Sequence, residues 1–123
     1  MLNENDFYKA FNEVIDENDK VVVIYSGISS FISNIKFKNK NITKTLVDIL
    51  EKIVTKKKTL IFPSFSANSF LKENKFDLKK SIDNIGILSK EALKRNYFRT
   101  NQPLHSYLIF GKGVYDIKNL KLL

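Results

Sequence analysis

Val21-Val22-Val23-Ile24-Tyr25 is an unbroken apolar run rich in β-branched residues, and Ser26-Gly27-Ile28-Ser29-Ser30 follows it directly. Such side chains fit a pleated strand, and the lack of polar alternation fits a strand covered on both faces, as in a parallel sheet flanked by helices. Small hydroxyl residues at the C-terminal end of such a strand can present free N–H groups and hydroxyls to an anion or a carbonyl. Serine and glycine also make ordinary turns, so the neighbouring strands have to decide the matter.

Downstream, Asn41 or Thr43 caps a helix whose apolar stripe is Leu46, Val47, Ile49, Leu50, Ile53 and Val54. Lys56-Lys57-Lys58 stands at its C-terminal end, where cations complement the helix dipole. Thr59-Leu60-Ile61-Phe62 is a second buried strand, stopped by Pro63. Strand, helix, strand implies a parallel pair with a right-handed crossover. Ser64-Phe65-Ser66-Ala67-Asn68-Ser69 then repeats the small hydroxyl loop. Two such loops at adjacent parallel strand ends face one crevice, where open α/β sheets bind ligands.

Upstream, Asn5 or Asp6 caps a first helix with Phe7, Ala10, Phe11, Val14 and Ile15 on one face, ending in the turn Asp16-Glu17-Asn18-Asp19. Beyond the second strand, residues 71–80 form a polar excursion. Ser81 or Asn84 opens a short helix with Ile85, Leu88 and Ala92 inward, ending near Asn96. Ser106-Tyr107-Leu108-Ile109-Phe110 is a third strand ending at Gly111, and the tail to Leu123 carries no clear period.

The totals bound the function classes. A chain of 123 residues, 43% hydrophobic and 28% charged, is one domain's worth of globular protein. No apolar run approaches the roughly 18 residues that span a bilayer, and the acidic N-terminus is unlike a signal peptide, so a cytoplasmic location is expected. With no cysteine and the single histidine His105, thiolate zinc sites, a cysteine nucleophile and multi-histidine metal sites are excluded. The net charge of +8 favours a polyanionic ligand, including a cofactor that carries phosphates. Nearly all the cations are lysines, with only Arg95 and Arg99 as arginines, which argues against a nucleic-acid reader. A basic nucleic-acid-binding module is the weakest of the three readings kept.

The order of motifs resembles the aminoglycoside 3-N-acetyltransferase family. Tyr25-Ser26-Gly27-Ile28-Ser29-Ser30 is similar to that family's serine-rich loop after a buried strand, with Tyr25 where the family usually has histidine and Gly27 where it has serine. Pro63-Ser64-Phe65-Ser66 resembles its proline-hydroxyl-aromatic-hydroxyl loop. Phe76-Asp77, Ser81, Gly86-Ile87-Leu88, Arg99-Thr100, Gln102-Pro103, His105-Ser106 and Gly111 follow in the family's order, with Gln102 at a usual histidine position. The resemblance implies the N-terminal half of that fold: an α/β domain over residues 1–123, with helices on a mostly parallel sheet of about three strands.

It further implies acetyl-CoA as cosubstrate, no metal, and direct acetyl transfer to an amino group of an aminoglycoside or amino sugar, an antibiotic-resistance type of activity. His105 is then the candidate catalytic group. Ser26, Gly27, Ser29, Ser30, Ser64, Ser66, Arg99 and Ser106 are candidates for holding coenzyme A, and Asp77 for binding a cationic substrate. The family's expected general base belongs to a segment with no counterpart here. The alternative is therefore a catalytically incomplete fragment or scaffold. Either reading leaves an open sheet that a second copy or a partner chain would cover.

Overall fold

The structure is a computed structural model that describes residues 1–28, 32–55, 57–66, 71–72, 74–75, 77–79, 86–102 and 104–118. Ser29, Ser30, Lys56, Phe76, Ser81, Asn84, Ile85 and Pro103, all named above, lie outside the described residues.

Helix α1 spans Glu4–Val14 and starts two to three residues earlier than expected, because Asn3 rather than Asn5 or Asp6 is its cap. Asn3 Oδ1 accepts from the Asp6 amide at 3.0 Å while Asp6 Oδ2 accepts from the Asn3 amide at 2.8 Å. This reciprocal pair satisfies two amides that the first turn leaves free. Phe7 and Phe11 turn inward, Phe7 meeting Phe37 edge-on at 5.5 Å, but Val14 is exposed. The helix therefore lies at the side of the core.

Helix α2, Ile42–Val54, is capped by Asn41 as the sequence predicts, and Leu46, Val47, Ile49, Leu50 and Val54 are buried. Five such side chains removed from water contribute on the order of 10 kcal/mol of gross apolar burial. Arg95, just after helix α3 (Ile87–Lys94), reaches back to α2. Its guanidinium bonds both carboxylate oxygens of Glu51 at 2.9 Å, Asp48 at 2.9 Å and the Lys44 carbonyl at 3.0 Å. Tyr97 donates to Glu51 from the other side at 2.9 Å.

Strands β1 (Val21–Val23) and β2 (Thr59–Pro63) pair in parallel, Val21 opposite Thr59 and Val23 opposite Ile61. That part of the expectation stands. The third expected strand is β4, Tyr107–Gly111, and it runs antiparallel to β2. Beside it lies β3, Phe98–Arg99, a two-residue strand too short to show a period. The sheet thus has four strands in the order β1-β2-β4-β3, with one parallel pair. The reversal follows from where the chain re-enters: the Ser64 amide donates to the Ser106 carbonyl at 2.9 Å, so β4 begins at the end that β2 leaves. Gly111 (φ +103°) closes β4 against the Lys58 carbonyl, and a last helix, α4, spans Gly113–Lys118.

Two further differences have plain causes. The Lys58 ammonium donates to the carbonyls of Asp16 and Glu17 at 2.9 Å and to that of Asp19, so it ties down the turn before β1 instead of capping α2. Strand β1 is not covered on both faces. Leu60, Phe62 and Leu108 are buried under α2 and α3, with Val22 partly buried beside them, whereas Val21 and Val23 on the opposite face are 54% and 46% exposed. An edge strand with helices on one side only buries one half of its alternating residues. Among the described residues no helix is long and apolar enough to cross a membrane.

Candidate functional site

The parallel pairing brings the two hydroxyl loops to one end of the sheet. Ser26 lies three residues beyond Val23, and Ser64 three beyond its partner Ile61, so both loops leave the strands at the same level. The head of β4 joins them there through the Ser64–Ser106 backbone bond and a bond from the Ser66 amide to the Leu104 carbonyl at 3.3 Å. The start of α3 reaches the same end: a Cβ added to Gly86 (φ +127°) would fall 2.9 Å from the Ser26 carbonyl.

Within this end the candidates separate into two groups. Ser64, Ser66, Ser106 and Arg99 are buried. The hydroxyls of Ser64 and Ser106 are 3.0 Å apart, and Ser106 Oγ donates to the Ser64 carbonyl at 2.7 Å. Arg99 Nε donates to Ser106 Oγ at 3.0 Å, one terminal nitrogen to the Ser64 carbonyl at 2.8 Å, and the other to the carbonyls of Leu78 at 3.0 Å and Asp77 at 3.4 Å. Burial pulls the Arg99 pKa down and the Asp77 charge opposes that pull. This cluster fastens loops to one another on the helix-covered face.

Ser26, Gly27, Asp77 and His105 make the second group, and they are partly or fully exposed. Nothing lies within 4 Å of a Cβ built on Gly27, so packing does not require a glycine there. The Asp77 carboxylate accepts from the Lys79 amide at 2.8 Å and is held in a turn. The His105 ring stands edge-on to Phe65 at 5.2 Å. Gln102, at the position where the resembled family has histidine, accepts from the amides of Leu104 and His105 through its side-chain oxygen and so shapes the turn before β4.

Sequence reasoning missed the aromatic ledge beside His105. Phe65 also meets Tyr107 edge-on at 5.3 Å, and a hydrogen bond with Tyr25 helps Tyr107 keep its proton to higher pH. Tyr25, Tyr107, Val23, Ile61, Thr100 and Ile109 line an uncharged groove of about 480 Å³ on the sheet face opposite α2 and α3. The signal lay in the alternation of β1, whose odd-numbered residues share that face. Among the described residues no three acidic or histidine side chains converge as metal ligands would.

Comparison of the fold with solved structures adds a decisive observation. Aminoglycoside acetyltransferase AAC(3)-IVa, as apoenzyme, superposes with a TM-score of 0.74 over 94% of this chain and 43% of its own, at 18% identity. The fold is that of the aminoglycoside acetyltransferases. Sisomicin-bound AAC-VIa matches at 0.73 over 99% of this chain and 51% of its own, with 11% identity. AAC-IIIb in binary complex with CoASH matches at 0.68 over 91% and 47%, with 12% identity. The chain spans about half the length of these acetyltransferase structures. No protein-family model matches the sequence, and no curated protein does.

Proposed function

We propose that this chain supplies the cofactor-binding loops of a cytoplasmic, coenzyme A-dependent N-acetyltransferase whose acceptor is an aminoglycoside or another amino sugar. The observation that carries the reading is the gathering of the Ser26, Ser64 and Ser106 loops at one sheet end, on a fold for which a CoASH complex exists.

In this reading the acceptor amine attacks the thioester carbonyl carbon. The new C–N bond forms as the C–S bond breaks, and the proton lost by the amine passes through a base to the departing thiolate of coenzyme A. The loop amides around Ser26 and Gly27 face the pyrophosphate or the developing oxyanion, and Ser29 and Ser30, the next hydroxyl residues in sequence, are assigned to the same ligand. His105 is the titratable group placed to move the proton. The Asp77 carboxylate attracts a polycationic amino sugar. Ser64, Ser66 and Ser106 hold the loops in place, and the sheet face opposite α2 and α3 is the surface that a second copy or a partner chain covers.

Thiol release from acetyl-CoA in the presence of sisomicin tests the assignment. Turnover should fall by about 10²–10⁴-fold in His105→Ala, the usual worth of a positioned base. A second reading, a cofactor-binding scaffold without catalysis, draws on the exposure of His105 and on the absence of any carboxylate contact to orient it among the described residues. Coenzyme A binding with no thiol release from the unmodified chain would favour that reading.

A further inference from the structure

The Arg99 guanidinium has partners in three separate segments of the chain. A guanidinium has five N–H donors in a rigid fork. Here one goes to the Ser106 hydroxyl at the head of β4 and one to the Ser64 carbonyl at the end of β2, while a single terminal nitrogen serves the Asp77 and Leu78 carbonyls. The residue is 7% exposed. A phosphate that reached the guanidinium would compete with the Ser64, Asp77 and Leu78 carbonyls already bound to it. The 77–79 turn also carries a local bond from the Lys79 amide to the Asp77 carboxylate at 2.8 Å.

We infer that Arg99 is a positioning residue for the acceptor side of the site: it fixes the 77–78 turn, and with it the Asp77 carboxylate, against the ends of β2 and β4. This rests on the acetyltransferase reading for the identity of the acceptor, while the clasp itself stands on geometry alone. Lysine cannot reproduce it, because a single ammonium has no fork to span three segments. The buried charge also gives Asp77 a fixed partner field, so loss of Arg99 changes both the place and the electrostatics of that carboxylate.

Hydrogen-exchange mass spectrometry on Arg99→Lys, with calorimetric titrations of sisomicin and of coenzyme A, tests the inference. Amides of residues 77–79 should exchange about tenfold faster or more, as expected when a local tie is cut. Sisomicin binding should weaken by about tenfold, matching Asp77→Asn, while coenzyme A affinity changes by less than about twofold. Unchanged exchange in 77–79, or a tenfold loss of coenzyme A affinity with sisomicin binding intact, overturns it and makes Arg99 a phosphate ligand. Should Arg99→Lys fail to fold, Ser106→Ala removes one arm of the clasp and must still speed exchange in the same segment; no acceleration there refutes the clasp. If the unmodified chain binds neither ligand, the acetyltransferase reading falls, and the exchange result still decides the role of Arg99.

Discussion

Gly27 and Gly111 stand at opposite ends of the sheet and have opposite reasons to be glycine. Gly111 holds φ at +103°, and an added Cβ would sit 2.2 Å from the Lys58 carbonyl oxygen. Gly111→Ala should therefore cost more than about 2 kcal/mol, combining a left-handed backbone with a clash against main chain. Gly27 meets no such constraint, and Gly27→Ala should leave stability within about 0.5 kcal/mol. Chemical denaturation of the two variants measures both. The sequence marks both positions equally, as a small residue beside a strand. It could equally well name Ser64, Ser106 and Arg99 as interesting, but not that they turn toward each other. Side-chain direction at a strand end depends on register, and the register of β4 was not legible.

At the scale of elements, the helices were the readable part. The stripe of α2 and its Asn41 cap are local signals, and local contacts form them. The direction of β4 depended on contacts more than forty residues apart, such as Ser64 with Ser106, and no periodicity encodes those. The α2–α3 junction offers a pH test. Burial, then the neighbouring Glu51 carboxylate, raises the Tyr97 pKa above its ordinary value of 10.0. The folded state thus keeps this proton where the unfolded chain loses it. Its contribution is fully present below pH 10 and is lost as pH rises beyond, at up to about 1.4 kcal/mol per pH unit. Tyr97→Phe should lose about 1–2 kcal/mol at neutral pH with the Glu51 hydrogen bond. It should also lack this share of the alkaline decline, so the gap between the two proteins narrows above pH 10 in urea titrations.

For the whole molecule, the governing fact is that helices α2 and α3 cover one face of the sheet, while on the other face α4 lies against Thr59 and the β1 half stays open. Tyr25 is 67% exposed, and with Val21, Val23 and Ile61 it forms an apolar strip on a chain of net charge +8. An uncharged strip of this kind binds hydrophobic dyes. Bis-ANS fluorescence should be strong with the unmodified chain and should drop several-fold in Ile61→Lys, which places a charge in the middle of the groove without touching the core face. Equal fluorescence from both would mean that the dye reports some other surface. The same geometry explains why β1 reads as a fully buried strand: its residues are apolar enough to be covered on both sides, and only one cover is present.

The claim on which the function rests is that the loop end of the sheet binds coenzyme A through exposed loop amides, and isothermal titration of coenzyme A into the purified chain tests it directly. The account predicts saturable binding on the order of micromolar to sub-millimolar affinity that weakens as salt rises, and that Gly27→Val abolishes while the protein stays folded. No heat at any salt concentration, or binding that Gly27→Val leaves untouched, would contradict it.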